Sequence, residues 1–490
     1  MHARPAGSIT LLVLIFGGIF LAVLTSLSGY LLAQNRLQDT TRIRAEAFSV
    51  AEAGLEYYRW HLAHFPTDLQ NGTGHAGPYP IAVPPVGTST LSIVPNTACG
   101  QTISINITST GTAADGPSFP VSLVARYAQP SVASYDVITN NAIWFGSSEI
   151  INGPVHSNNG IHEDGPNNAP VTSSVSTWKC PFSLGCDGTN GNPPENATEP
   201  GVFGTGTNPN LWNFPVPSVN FQGIASDFNT DKGIAQSYGI YLPRYSTGNQ
   251  TQSTAYHKGY HLVFNAPSLA YPNGSVTVTK VNPQKVSSVF FFDTRKYGTE
   301  YSILAGETNA QTYAIPSGCG LIFVEDNAWI EGVIPTKVTV VVANVSDTGV
   351  APDAFIPGNI TYASSDGSAG LALLSEHDVL ITPDSPYNLS ISGVFVAQTG
   401  SFGRNGYWDS TNPSCNGTYE PRGAFSIHGT IVASLGQNET WLLDSPCGTQ
   451  PNAGYQTTVN SPDQMLATDP PAFTPTLSKD YRFVTWQQQQ

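Results

Sequence analysis

The stretch RPAGSITLLVLIFGGIFLAVLTSLSGYLLAQ, Arg4 to Gln34, limits what this chain can become more than any other part of it. From Gly7 to Gln34 it carries no charged side chain. As a helix rising 1.5 Å per residue, the run is about 40 Å long, more than the ~30 Å of hydrocarbon in a bilayer. A removable secretory signal has an apolar core of only about 7–15 residues. The core here is longer. SLSG at Ser26–Gly29 would serve as a cut site, but length favours a retained anchor. Charges flank both ends, Arg4 before the run and Arg36, Arg42 and Arg44 after it, so they do not set its orientation.

The helix signal does not stop at the anchor. RIRAEAFSVAEAGLEYYRWHLAHF contains no proline and, apart from Gly54, no glycine. Phe48, Ala51, Leu55, Tyr58 and Leu62 follow one another at spacings that line one helix face, while Glu46, Glu52, Glu56 and Arg59 lie off that stripe. Pro66 ends the pattern because it has no N–H to donate. The expectation is one rod, 8–65, with 8–34 in the membrane and an amphipathic second half.

Here the residues carry a resemblance. A short basic leader ending in Gly7, followed by an apolar helix that runs into an amphipathic one, looks like the start of a type IV pilin or pseudopilin. FSVAEAGLEYYRW is similar to the AEAG segment of PilX-like minor pilins. The resemblance implies a leader, 1–7, cut by a prepilin peptidase between Gly7 and Ser8, and a helix that packs into a filament core beside other pilin-like subunits. The chain departs from the major pilins in having Ser8 first after the cut and Leu12 at the fifth position, where a glutamate is usual. That glutamate pairs with a neighbouring subunit's amino terminus. A carboxylate in lipid is tolerated only with a partner, and a chain lacking it suits a tip or initiating position. The other reading of the segment is a plain membrane anchor.

Composition fits a β-rich remainder. Charged residues are 11% of the 490, against roughly 25% in an ordinary soluble domain. Gly 47 and Pro 38, together with abundant Asn, Ser and Thr, suit short strands and tight corners. The net charge of −15, with no basic cluster, excludes nucleic-acid binding by charge. Six cysteines and a membrane-directed start favour disulfides in an oxidising compartment, with the alternative of isolated buried thiols. Among the 15 pairings six cysteines allow, loop proximity suggests Cys180 with Cys186 and Cys415 with Cys447, which leaves Cys99 with Cys319.

After a Gly/Pro-rich connector, STLSIVP, TISINITSTGTA and FPVSLVARYAQPS alternate apolar and polar residues. They predict a small antiparallel sheet over 86–130 whose apolar side receives the helix stripe. This is the pilin head arrangement, and ITSTGTA is similar to the same family. From 135 to 450 an apolar-x-Gly-x-apolar pattern recurs at Ile151–Val155, Ile330–Ile334, Ile391–Phe395 and Ile427–Ile431. Residues i, i+2 and i+4 of a strand share a side, and glycine between two large residues lets a neighbouring strand approach. The pattern predicts a parallel β-helix-like solenoid, with a sandwich as the competing architecture. GPVHSNNGI resembles the solenoid part of large PilX-type proteins. Residues 164–260 read as a loop insertion, and 451–490 as a tail without assigned structure whose YRFVTW is similar to the family's final strand.

Several groupings hold residue types that can carry chemistry. His156, His162, Glu163 and Asp164 crowd one loop, but a solvated loop explains them better than a metal. His257 and His261 are four apart on a segment that does not read as helix. Asp227, Asn229 and Asp231 occupy positions 1, 3 and 5 of a calcium loop, yet the glycine is one place late and Tyr238 stands where the glutamate belongs. No G-x-S-x-G is present. Glu325 and Glu331 beside Trp329 would suit a glycan-cleaving pair, although edge charges that deter strand pairing are commoner. Sequons occur at Asn106, Asn388 and Asn438, but in a chain so rich in Asn, Ser and Thr many such triplets arise by chance, and their meaning depends on the host.

The expectation is therefore an α+β, mainly β chain without catalytic residues, metal or cofactor. It would be a structural minor subunit of a pilus-like filament in the cell envelope, spanning the membrane once with its large domain outside. It would prime or cap the filament and present a surface to a glycan or cell-surface ligand. The alternatives are an anchored adhesin unrelated to pili and a cell-surface carbohydrate-active enzyme.

Overall fold

In a computed structural model of the chain, the described residues are 8–189, 191–224, 227–247, 257–291, 295–347, 349–409, 417–442, 451–478 and 480–489. They form two compact units, Met1–Asn96 with Ser104–Ala128 and Tyr481–Gln490, and Thr97–Ile103 with Gln129–Asp480.

The first unit starts with an unbroken helix α1, Ser8–His64. Its 57 residues make a rod about 85 Å long. Nothing before Pro66 removes an N–H from the ladder, and His61 and His64 in the last turn suit the negative end of the helix dipole. Four strands follow: β1 Tyr79–Val83, β2 Gly87–Ala98, β3 Gln101–Ala113 and β4 Gly116–Ala128. A C-terminal strand, Arg482–Gln488, completes a sheet in that order by running antiparallel to β4, with Phe483 opposite Tyr127. Alternation turns Ile105, Ile107, Ser109, Gly111 and Ala113 of β3 inward, as the sequence pattern requires.

The second unit consists mainly of parallel ladders. One inward column crosses ten strands in register: Ile240, Ile322, Val340, Leu373, Phe395, Ile431, Val137, Val155, Val171 and Trp212. A second ladder joins Gly259–Asn265, Asn327–Ile334, Ala354–Ile356, Val379–Ile381, Ser401–Gly403 and Gly436–Asn438. A third passes from the end of Asn327–Ile334 through Ile360–Tyr362, Leu389–Ala397, Arg422–Ala433 and Pro451–Ser461 to Glu149–Ile151. Parallel pairing of this extent is not that of an antiparallel sandwich.

Two local devices make the corners. Leu389–Ala397 and Arg422–Ala433 each pass from the third ladder to the first at a glycine, Gly393 and Gly429, with φ of 149° and 150°. These two glycines lie opposite each other, and a Cβ on Gly429 would meet the Gly393 carbonyl at 1.8 Å. The bend lets Ile391 and Phe395, and likewise Ile427 and Ile431, all enter one core. At another corner, side-chain oxygens accept the backbone N–H of the next turn: Asn327 from Asp353, Asp353 from Asp378, and Asp378 from Ser401. Asn327, Asp353 and Asp378 serve this corner because a corner N–H left unpaired would be costly.

Order along the stack departs from order along the chain. Strands from Val137 to Asn213 climb toward one end. The chain then resumes at the opposite end with Ile240–Leu242 and climbs until Ile431–Ala433 docks on Val137–Thr139. The expected loop insertion 164–260 therefore contains ladder strands, Val171–Ser173, Val202–Phe203 and Trp212–Asn213. At two or three residues each, they are too short to show a period. The tail 451–490 likewise supplies Pro451–Ser461 to the third ladder and Arg482–Gln488 to the first unit's sheet.

Candidate functional site: an exposed apolar helix with a docked continuation

Helix α1 changes character along its length. Its N-terminal half has a mean hydropathy of 2.5 over an 18-residue window, none of it buried, and is long and apolar enough to cross a membrane. Leu12, Phe16, Phe20 and Leu24 are all exposed. An apolar surface of this extent costs roughly 25 cal/mol per Å² in water and is stable only against lipid or protein.

The C-terminal half is covered by the sheet of the same unit. Ala51, Leu55, Tyr58 and Leu62 of the predicted stripe are buried, and Phe48 is half-buried against Trp486, with ring centroids 6.2 Å apart. Each larger member contributes about 1.5–3 kcal/mol on burial. The closest approach uses residues the stripe omitted. A Cβ on Gly54 would lie 2.0 Å from Ser89 Oγ and 2.5 Å from Ser109 Oγ, and one on Gly111 would lie 2.0 Å from the Ala47 carbonyl. Ser109 Oγ donates to the Ala51 carbonyl at 2.6 Å and is 2.8 Å from Ser89 Oγ. The AEAG segment thus has a physical reason: Ala51 and Gly54 let helix backbone meet sheet backbone. Gly111, isolated in an alternating strand, was the signal for this in the sequence.

Where the helix ends, His61 Nε2 lies 3.0 Å from Asp68 Oδ2, and Asp68 accepts the backbone N–H groups of Gln70 and Gly72. These N–H groups and His61 hold the Asp68 carboxyl below its usual range, against a smaller opposing effect of burial.

Gly7 lies outside the described residues, and Ser8 begins α1. Cys99 is bonded to Cys319 at 2.03 Å and Cys180 to Cys186 at 2.00 Å; Cys415 and Cys447 lie outside the described residues. The loop expected to be solvated around His156 is instead buried. His156 bonds Thr172 and Asn158, while His162 stacks on Phe203 at 4.4 Å and meets Asp164 at 3.0 Å. Asp227 caps the helix Phe228–Tyr238, on which Asp231 lies, so the calcium-loop reading falls to a helix start. His261 bridges Glu307 at 2.8 Å and Glu331 at 3.1 Å. Glu325 binds Lys232 at 2.6 Å and Ser346 at 2.8 Å, a network separate from that of Glu331. Trp329 is fully buried and stacked on Phe355 rather than offered to a sugar.

No family model matches the chain, and no curated protein does. Among solved structures it is similar to the competence-associated pilin ComZ from Thermus thermophilus, at 12% identity over 91% of this chain and 97% of that one, with a TM-score of 0.30. At that score the likeness carries no argument for this chain.

Proposed function

We propose that this chain is a pilin-like, membrane-anchored subunit of an envelope filament, with a structural rather than catalytic role. The observation that carries the proposal is the single helix whose first half is wholly exposed and apolar while its second half is docked on a sheet. An isolated anchor does not require that continuity; a subunit that moves from bilayer to filament does, because the same apolar half must be solvated by lipid and then by neighbouring helices.

In the fuller form of the proposal, the chain is a PilX-like minor subunit, cut between Gly7 and Ser8, that primes or caps the filament. Leu12 at the fifth position supports this role, since no intramembrane carboxylate there seeks a neighbour's amino terminus. The parallel ladders of the second unit support reading it as a β-solenoid whose surface meets a glycan or another cell-surface ligand.

Mass spectrometry of the mature amino terminus tests the processing step. The expected result is a chain starting at Ser8, N-methylated. An intact Met1 or a start at Gly29 would refute the filament reading.

A further inference from the structure

Two successive corners of the second unit are capped by acids where an amide would serve. Asn327, one turn earlier, accepts the Asp353 N–H at 2.9 Å through its side-chain oxygen. Asp353 does the same for the Asp378 N–H at 3.2 Å, and Asp378 for the Ser401 N–H at 2.7 Å. The strands that begin just after these two acids pair in register, Ala354 with Val379. Their carboxylates therefore stack at one strand spacing, about 4.8 Å. Like charges so placed repel. Asparagine at both corners would make the same caps without that cost.

His377 joins the two acids. Its Nδ1 lies 2.7 Å from Asp353 Oδ1 and 3.5 Å from Asp378 Oδ2. One donor atom from each of the three side chains lies within 4.8 Å of the other two. The Ser401 N–H holds Asp378 Oδ1, which leaves Oδ2 to face the imidazole. Gly400, in the next turn, keeps the group clear: a Cβ there would lie 2.1 Å from Asp378 Oδ1 and 2.7 Å from the His377 carbonyl. The side chains of Asp353, His377 and Asp378 are 25%, 30% and 13% exposed, so an ion can enter and water can complete its shell.

The donor set selects the ion. Ligands at 2.0–2.2 Å around a tetrahedral zinc stand about 3.3 Å apart, and the two separations at His377 Nδ1 bracket that value. An imidazole nitrogen with two carboxylate oxygens favours a borderline first-row ion over calcium or magnesium, and two negative charges balance a divalent one. Backbone N–H groups on both carboxylates supply the outer hydrogen bonds that orient such ligands.

We propose that Asp353, His377 and Asp378 form a zinc site that ties two consecutive turns of the second unit together. The ion takes the place of the proton that His377 Nδ1 shares with Asp353, and water fills the remaining position. This does not rest on the filament reading.

The test uses the full-length chain in detergent, without an affinity tag and without reductant, so that Cys180–Cys186 stays closed. After stripping with chelator and buffer exchange, calorimetric titration with ZnCl2 should show about one strong site per chain. Zinc should also raise the thermal midpoint, and CaCl2 at the same concentration should do neither. Asp378→Asn keeps an oxygen for the Ser401 N–H, yet it should weaken zinc binding by about tenfold or more, as should His377→Ala. Without zinc, Asp378→Asn should melt no lower than the stripped wild type, which separates lost affinity from lost fold. A wild-type chain without a strong zinc site overturns the proposal. So does calcium that matches zinc, or zinc affinity unchanged in both variants, which would put the bound zinc on other histidines.

Discussion

Replacing Gly54 by alanine sets two well-understood effects against each other. In an exposed helix, Gly→Ala adds about 1 kcal/mol of stability. At this position the new methyl would lie 2.0 Å from Ser89 Oγ, 2.5 Å from Ser109 Oγ and 2.8 Å from Ser89 Cβ. The hydroxyls are short and tied to each other and to the Ala51 carbonyl, so they cannot swing away without breaking a buried hydrogen bond. Overpacking costs about 1–3 kcal/mol, and a stranded buried polar group costs about 1–3 more. The net expectation is a loss of about 2–4 kcal/mol, a shift of roughly 30- to 1000-fold in local opening. Hydrogen exchange of β2 and β3 peptides in the full-length protein would read it. Gly29→Ala, with nothing within 4 Å of its Cβ, is the control and should cause no loss. Adding Ser89→Gly should return part of the stability of Gly54→Ala. If Gly54→Ala protected these peptides as an exposed helical site would, the close-approach argument would be wrong.

Other perturbations follow from the same geometry. Leu55→Ala should cost about 2–5 kcal/mol in chemical denaturation, because the side chain is 3% exposed against the sheet. Removing the Cys99–Cys319 bond, with a sequence separation of 220, should destabilise by about 5 kcal/mol, against about 2 for Cys180–Cys186 with a separation of 6; thermal melts of the two Cys→Ser pairs would give the order. Burial raises Asp136 to about 7, against backbone donors from Gly153 and Asn152. A raised acid binds its proton more tightly when folded, so its contribution falls as pH rises from about 4 to about 7. Asp136→Asn should therefore gain stability relative to wild type over that window, on the order of a few kcal/mol at pH 8, and change little at pH 4. For Asp68, held low by backbone donors, the sign is opposite: its contribution is present above about pH 5 and lost on acidification, so Asp68→Asn should flatten the acid limb of a stability profile.

How much of this was legible depended on the range of the interaction. The rod could be read because membrane length, a helical stripe and a terminating proline are all local properties of neighbouring residues. Strands such as TISINITSTGTA could be read for the same reason, since alternation needs only one segment. Gly393 and Gly429 were visible as a recurring pattern, and their stacking gives that pattern its cause. Val202–Phe203 and Trp212–Asn213 left no trace, because two residues have no period and become strands only through partners already in place.

By itself, then, the sequence determined that a long apolar helix continues into an amphipathic one, that the rest is β-rich, and which face of the helix is buried. Only tertiary structure decided that the strands near residue 430 lie against those near 137, and that Pro451–Ser461 runs beside Glu149–Ile151. Side-chain periodicity tells a residue which way to point, but it is silent about which distant strand will lie beside it. That choice is made by register and packing across hundreds of residues.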